Sequence, residues 1–360
     1  MKVNQFGKKL LLLPLCVGAL EVNEKLSVDF GFNAMYQHVD FLKKYSDKGC
    51  GSLAAEIGVN FHPTTEDEFQ ATFSLAGGNG LKETFGEKGF LLAPNADDLE
   101  SDLKDINSSG RNYILEAWYK HTFKIGKEIS VEFTAGIIDA TSFIDTNEYA
   151  NDETSQFMND VFVNNPLASL PSYDGGLAVS GNIGSFTLQG LVMTSKTEED
   201  KNYNYYAFQV EKSSSVGDGT LNFRVYYYRT SKDFLNNKGE MDYLEGIGIS
   251  ADWGLEDRFG LFARVGLNTN TSTGDFKNLL SGGVALNGAL WGRKGDNFSV
   301  GVAYLKGNND IKDVKVLEGY YSFELDENIT LTLDYQRDIT NFTREKLEAS
   351  VYGIRLNVAF

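Results

Sequence analysis

From Leu26 onward, apolar and polar residues alternate in segments of roughly ten residues, each bounded by turn-rich sequence. The first segment places Leu26, Val28, Phe30, Phe32 and Ala34 on one face, with Ser27, Asp29, Gly31 and Asn33 on the other. The second sets Leu53, Ala55, Ile57, Val59 and Phe61 against Ser52, Glu56, Gly58 and Asn60. The rhythm recurs in Leu221, Phe223, Val225 and Tyr227, again from Phe259 to Leu267, and again from Phe298 to Tyr304. A period of two puts successive side chains on opposite faces of a strand, so each segment predicts a strand with one apolar face. Starts fall near residues 26, 51, 67, 111, 128, 174, 185, 203, 219, 243, 258, 278, 297, 314, 328 and 348. That makes about sixteen strands, an even number, as bacterial single-chain barrels use.

In the final segment Tyr352, Ile354, Leu356, Val358 and Phe360 alternate with Gly353, Arg355, Asn357 and Ala359. It resembles the aromatic-ended last strand of outer-membrane barrels. Connectors are expected to alternate between long external loops and short periplasmic turns. Long ones are read at 37–50, 77–110, 140–173, 230–242 and 338–347. Short ones are read at 63–67, 124–127, 183–185, 254–257, 292–296 and 326–328. Pro63, Pro94, Pro166 and Pro171 all fall in predicted connectors, where no ladder hydrogen bond is lost. Phe61, Phe69, Phe123, Phe186, Trp253, Phe259, Trp291, Phe298 and Phe360 cluster beside short turns. Tyr36, Tyr113, Tyr227 and Tyr304 sit at the opposite strand ends, giving the two aromatic girdles of a bilayer-spanning barrel. Hydrocarbon offers no partner to a backbone N–H or C=O, so such a sheet must close on itself. A closed sheet of this strand number leaves an aqueous channel, and solute passage is the expected function.

The first residues change the domain picture. Lys2, Lys8 and Lys9 precede a short apolar run, and Val17, Gly18 and Ala19 are small where a signal peptidase reads. Residues 1–19 are therefore expected to be a signal peptide and 20–360 the barrel domain. The run is too short for a spanning helix, and Pro14 interrupts it. Removal of the leader takes Cys16 with it and leaves Cys50 without a disulfide partner.

A net charge of −17 argues against a nucleic-acid partner, which needs clustered Lys and Arg. His38, His62 and His121 show no metal-ligand spacing, and no catalytic constellation stands out, so neither an enzyme nor a cofactor is expected. The informative stretch is the third long loop. It carries Asp139, Asp145, Glu148, Asp152, Glu153, Asp160 and Asp174, with no Lys or Arg between Lys127 and Lys196. Interleaved are Asn147, Tyr149, Asn151, Gln156, Phe157, Asn159, Asn164, Asn165 and Tyr173. Carboxylates and amides beside aromatic faces suit sugar hydroxyls and C–H faces. The same carboxylates would favour cations, and a solvated acidic loop explains them equally well. On strand parity Arg224, Arg264, Arg355, Glu116, Trp118, Glu318, Asp334 and Gln336 face inward. The arginines would either set a field across the lumen or pair with wall acids.

The run Phe143, Ile144, Asp145, Thr146, Asn147, Glu148, Tyr149, Ala150, Asn151, Asp152, Glu153, Thr154, then Gln156, Phe157, Asn164, Asn165 and Pro166, resembles the carbohydrate-selective outer-membrane porins of the OprB type. Supporting stretches are 115–119, 281–283, 301–304 and 317–336. The resemblance implies an all-β, sixteen-stranded antiparallel transmembrane barrel, a third external loop folded into the lumen, and passive diffusion favouring sugars. The expected pathway residues are Asp145, Asn147, Glu148, Asn151, Asp152, Gln156, Glu116, Trp118, Arg224 and Arg264. Expected partners are small hydrophilic solutes (sugars and ions), outer-membrane lipid and lipopolysaccharide, with a homotrimer by analogy. A cation-preferring diffusion porin and a plugged structural barrel are the competing readings.

Overall fold

Sixteen strands pair antiparallel in chain order, and the last returns to the first. The computed structural model describes residues 20–42, 45–86, 89–96, 112–126, 128–197, 201–255 and 258–360. The expected leader, 1–19, lies outside the described residues. The barrel strands are β1 (Leu26–Phe41), β2 (Lys48–Phe61), β3 (Asp67–Gly78) and β4 (Asn112–Ile125). Next come β5 (Ile129–Ile138), β6 (Asp174–Ile183), β7 (Phe186–Lys196) and β8 (Asn202–Val216). They continue with β9 (Gly219–Thr230), β10 (Glu245–Leu255), β11 (Phe259–Asn268) and β12 (Phe276–Asn287). The ring ends with β13 (Asn297–Gly307), β14 (Ile311–Asp326), β15 (Ile329–Phe342) and β16 (Lys346–Ala359). At the seam Phe360 N–H donates to the Phe30 carbonyl at 2.8 Å, and Phe30 N–H donates back at 2.9 Å. A four-residue strand, Leu20–Asn23, pairs with the start of β1 beyond the reach of β16.

The outward side chains form the surface that a bilayer would cover. Leu53, Ile57, Phe73, Leu261, Val302, Leu333 and Ile354 are all exposed large apolar residues on outward positions. Phe61, Phe69, Phe123, Phe186 and Phe360 ring the short-turn rim; Tyr36, Tyr227, Tyr304 and Tyr352 stand toward the other. Such a surface is stable only against hydrocarbon, with aromatics at the two headgroup levels.

Strand starts lie within three residues of the sequence reading, but two long connectors were misread. In place of 338–347, β15 runs to Phe342 and β16 begins at Lys346. In place of 37–50, β1 runs to Phe41 and β2 begins at Lys48. The hydrogen-bond ladder continues here past the apolar girdle. The inward positions become apolar instead: Val39, Phe41, Leu347, Ala349 and Val351 form one buried cluster. What covers them is the second long loop. Leu81 and Phe90 pack into that cluster, and a short helix, Leu81–Phe85, starts the segment. The Pro94 carbonyl accepts from both Gln37 and Gln336, each at 2.8 Å. Residues 97–111 of this loop are outside the described ones.

Candidate functional site

The third long loop, 139–173, leaves β5 and lies against inward side chains on the far side of the ring. Its turns are built by its own acids and amides. Asp139 accepts from Thr141 N–H at 3.0 Å, Asn147 from Tyr149 N–H at 3.1 Å and Asp152 from Thr154 N–H at 2.8 Å. Asn159 accepts from Val161 N–H at 3.2 Å and Asn165 from Leu167 N–H at 3.0 Å, each capping a short helical turn. Side chains of this type satisfy a neighbouring backbone donor and so fix a compact loop.

Inward wall residues then hold the loop. Arg264 on β11 pairs with Asp145 at 3.0 Å, both side chains fully buried. The same guanidinium donates to the carbonyls of Asp145 at 3.1 Å, Val163 at 3.2 Å, Ala150 and Phe162. Arg355 on β16 donates to the carbonyls of Glu153 and Gln156, the latter at 2.9 Å. The Glu318 carboxylate on β14 accepts from Asn159 N–H at 3.0 Å and from Met158 N–H. Gln209 on β8 accepts from Asp145 N–H at 2.8 Å and donates to the Phe143 carbonyl at 3.1 Å. Between these clamps Phe157, Val161, Phe162 and Leu167 are buried with Phe262, Leu305, Val316 and Tyr320 from the wall. Burial of such side chains contributes about 1.5–3 kcal/mol each.

Glycines make the wall flat where the loop lies. Carbon added at Gly260 would sit 2.2 Å from the Tyr149 ring, and at Gly301 2.8 Å from Phe162. Tyr149 and Phe157 therefore face the wall, not the lumen. This corrects the expectation that these two rings of the loop would cover a sugar, whereas Tyr173 does line the cavity.

The loop fills one side of the ring and leaves a cavity of about 1770 Å³ along the other. The cavity runs from Asn60, Glu132 and Asn182 near the short turns to Asp233, Asn268 and Asp275 at the long-loop rim. Wall residues along it include Glu56, Gln70, Glu116, Trp118, Lys120 and Glu211. From the loop come Asn147, Glu148, Asn151, Asp152, Glu153 and Gln156, with Glu148 the exposed member of the set. Among the ten residues expected on the pathway, Asp145, Arg224 and Arg264 are corrections. They are 0 %, 2 % and 0 % exposed and do not line the cavity. Arg224 is taken up by Glu211, at 2.9 Å, and by Asp252. The arginines act on the loop and on wall acids, so Arg224 and Arg264 do not form a cationic side opposite the acidic one.

The inward second loop was missed, and its signal was Phe90, Leu91, Leu92, Ala93 and Pro94, an apolar run too long for a solvated loop. Leu91 and Leu92 line the cavity. So does Tyr173, at a left-handed φ of 56° beside Leu115 and Ala54. His121 points outward and contacts Asp67 at 2.7 Å. Among the described residues no three His, Cys, Asp or Glu are grouped to hold a metal ion.

Burial pushes the Asp139 carboxyl up to about 6, against the hydrogen bonds from Thr141. Burial also raises Asp145, opposed chiefly by Arg264. For Asp139 the sign is clear. Its folded form favours the proton, so its contribution to stability is full at low pH and falls as pH rises from about 4 through about 6. The cavity wall gains that negative charge around pH 6. Cation over anion permeability is expected to rise between pH 5 and 7, with Asp139→Asn flattening this step. Reversal potentials across the range check it; superimposable profiles for the two proteins would refute the assignment.

A profile of the carbohydrate-selective porins, OprB family, matches residues 201–360. That match lies C-terminal to the loop stretch that carried the sequence resemblance. An uncharacterized protein of Aquifex aeolicus (strain VF5) is 38% identical over 297 residues, covering 81% of this chain and 84% of its own length. The high-pH structure of Pseudomonas putida OprB superposes with a TM-score of 0.76 at 14% identity, covering 93% of this chain and 94% of that one. Its low-pH structure gives 0.55 at 16% identity, with 92% of each covered. A loop-deletion mutant of the Vibrio cholerae outer-membrane protein OmpT gives 0.56 at 10%, covering 94% of this chain and all of that one. At these identities the structures establish the fold, a closed sixteen-stranded antiparallel barrel. The profile thus identifies the C-terminal residues 201–360 with the OprB family of carbohydrate-selective porins, on a barrel that is similar along nearly its whole length to Pseudomonas putida OprB.

Proposed function

We propose that this porin lies in the bacterial outer membrane with both termini in the periplasm and passes small sugars down their gradient. The observation that carries the reading is the make-up of the cavity. On the loop side are the carboxylate and amide edges of Glu148, Asn151 and Gln156. On the wall side are Glu116, Gln70 and the indole of Trp118. Polar edges exchange hydrogen bonds with hydroxyls while an indole covers a sugar's C–H face. No chemical step is involved: selectivity follows from width and from weak, exchangeable contacts. The test is single-channel current in planar bilayers with graded maltooligosaccharides. Sugar is expected to reduce the current reversibly, and Trp118→Ala to weaken that reduction by a factor of roughly 3 to 10. A current that no sugar reduces would overturn the reading.

One observation favours a second reading. Glu56, Glu116, Glu132, Asp139, Glu148 and Glu153 line the cavity, whereas Lys120 is paired with Glu68 and Lys82 lies at the loop. A wall of this sign concentrates cations. A reversal potential near the cation limit without sugar block would make this a general cation-preferring porin.

A further inference from the structure

The third long loop leaves the wall and rejoins it at one corner of the lumen. Ile138, the last residue of β5, pairs directly with Asp174, the first of β6. Asp139 and Tyr173 therefore flank the same rung, at the root of the loop. Tyr173 packs with Ala54 of β2, Ala76 of β3 and Leu115 of β4. Glu56 is the next inward residue after Ala54, and Glu116 follows Leu115. The phenol thus stands within electrostatic reach of Asp139, Glu56, Glu116 and, from the loop, Glu153. All five side chains line the cavity. Ser74 on β3 stands directly across from Glu56 and is 1 % exposed. Among the described residues its hydroxyl has no hydrogen-bond partner. Lys120, a cation on the same strand as Glu116, is taken up by Glu68.

A left-handed φ of 56° is unfavourable for an aromatic residue, so packing holds this ring at the corner against its local preference. An ammonium group has three N–H donors and no acceptor, and it is drawn to an aromatic face. We propose that Asp139, Glu116, Ser74 and Tyr173 bind the ammonium of amino sugars, which makes these the preferred solutes of the channel. The proposal rests on the sugar reading above and names the substrate class within it. Sugar-type edges and a surplus of lumen carboxylates otherwise favour different solutes; an amino sugar answers to both. Among the described residues the acids are not grouped to ligate one metal ion. Spread acceptors suit an organic cation that also brings hydroxyls.

The experiment records block of single-channel current by glucosamine, N-acetylglucosamine, glucose and ethanolamine near neutral pH. Wild-type channels are expected to be blocked by glucosamine at concentrations on the order of tenfold below those needed for glucose or the uncharged N-acetyl sugar. In D139N/E116Q that ratio should fall to about one, and in Y173G to roughly threefold. Glycine accepts the backbone conformation at 173, and heat-modifiable gel mobility reports that both variants are folded. Equal block by glucosamine and glucose in the wild type overturns the proposal and leaves the sugar reading standing. Block by ethanolamine as strong as by glucosamine also overturns it, by showing a cation site in which the sugar has no part. A current that none of the sugars reduces removes the sugar reading and this proposal together.

Discussion

Arg264→Met is expected to raise single-channel conductance severalfold while the barrel stays closed. One guanidinium neutralises Asp145 and satisfies carbonyls at four positions of the loop, all without access to water. Removing it strands a buried carboxylate and leaves those carbonyls unpaired, a local cost of about 3–5 kcal/mol. The strands keep every ladder bond, because the arginine pairs with the loop and not with a neighbouring strand. Relief therefore comes by the loop leaving the wall, which widens and destabilises the narrow section. Conductance and current noise should rise together, with gel mobility unchanged. Asp145→Asn should act the same way but less, since an amide can still accept from Arg264 and Asn165 N–H. A wild-type conductance in Arg264→Met would show that the clamp does not set the width.

The role of that arginine was not legible in the sequence, although its inward parity was. Parity follows from counting along one strand. A partner that is a backbone carbonyl on a distant loop leaves no sequence signature. The loop's own residues were ambiguous for a related reason. Asp139, Asn147, Asp152, Asn159 and Asn165 are the residue types that bind hydroxyls and also the types that cap turns. Their place beside backbone donors decides for capping, at least in part, and leaves Glu148 most open to the channel. The two connectors at 37–50 and 338–347 were misread for the converse reason. Alternation was read as apolar-outward, which holds only at the depth of hydrocarbon. Above it Lys306, Glu348 and Asp40 face out while Val39, Leu347 and Val351 face in under the second loop. The period persists there, but the sign of the pattern is inverted.

Gly260→Leu should act in the opposite sense to Arg264→Met and lower the conductance. Gly260 and Gly254 form the floor on which the Tyr149 ring lies; added carbon would stand 2.2 Å from the ring at the first position and 1.6 Å from its hydroxyl at the second. These atoms belong to the stiff ring and its oxygen, seated between a closed wall and a clamped loop, so small shifts cannot make room. Overpacking of this kind costs about 1–3 kcal/mol. That is less than the clamps contribute, so the loop stays in the lumen but stands off from the wall at Tyr149, moving Glu148 toward the channel axis. The expected result is a fall in conductance to about half or less, with stronger block by a sugar that still enters. Tyr149→Ala alone should change conductance little, since it removes a ring that the channel does not see. Combined as G260L/Y149A, the two changes should restore the wild-type current, because the leucine then occupies the space the ring has left. A fall in current that persists in the double variant would mean that Gly260 acts through the wall itself and not through Tyr149.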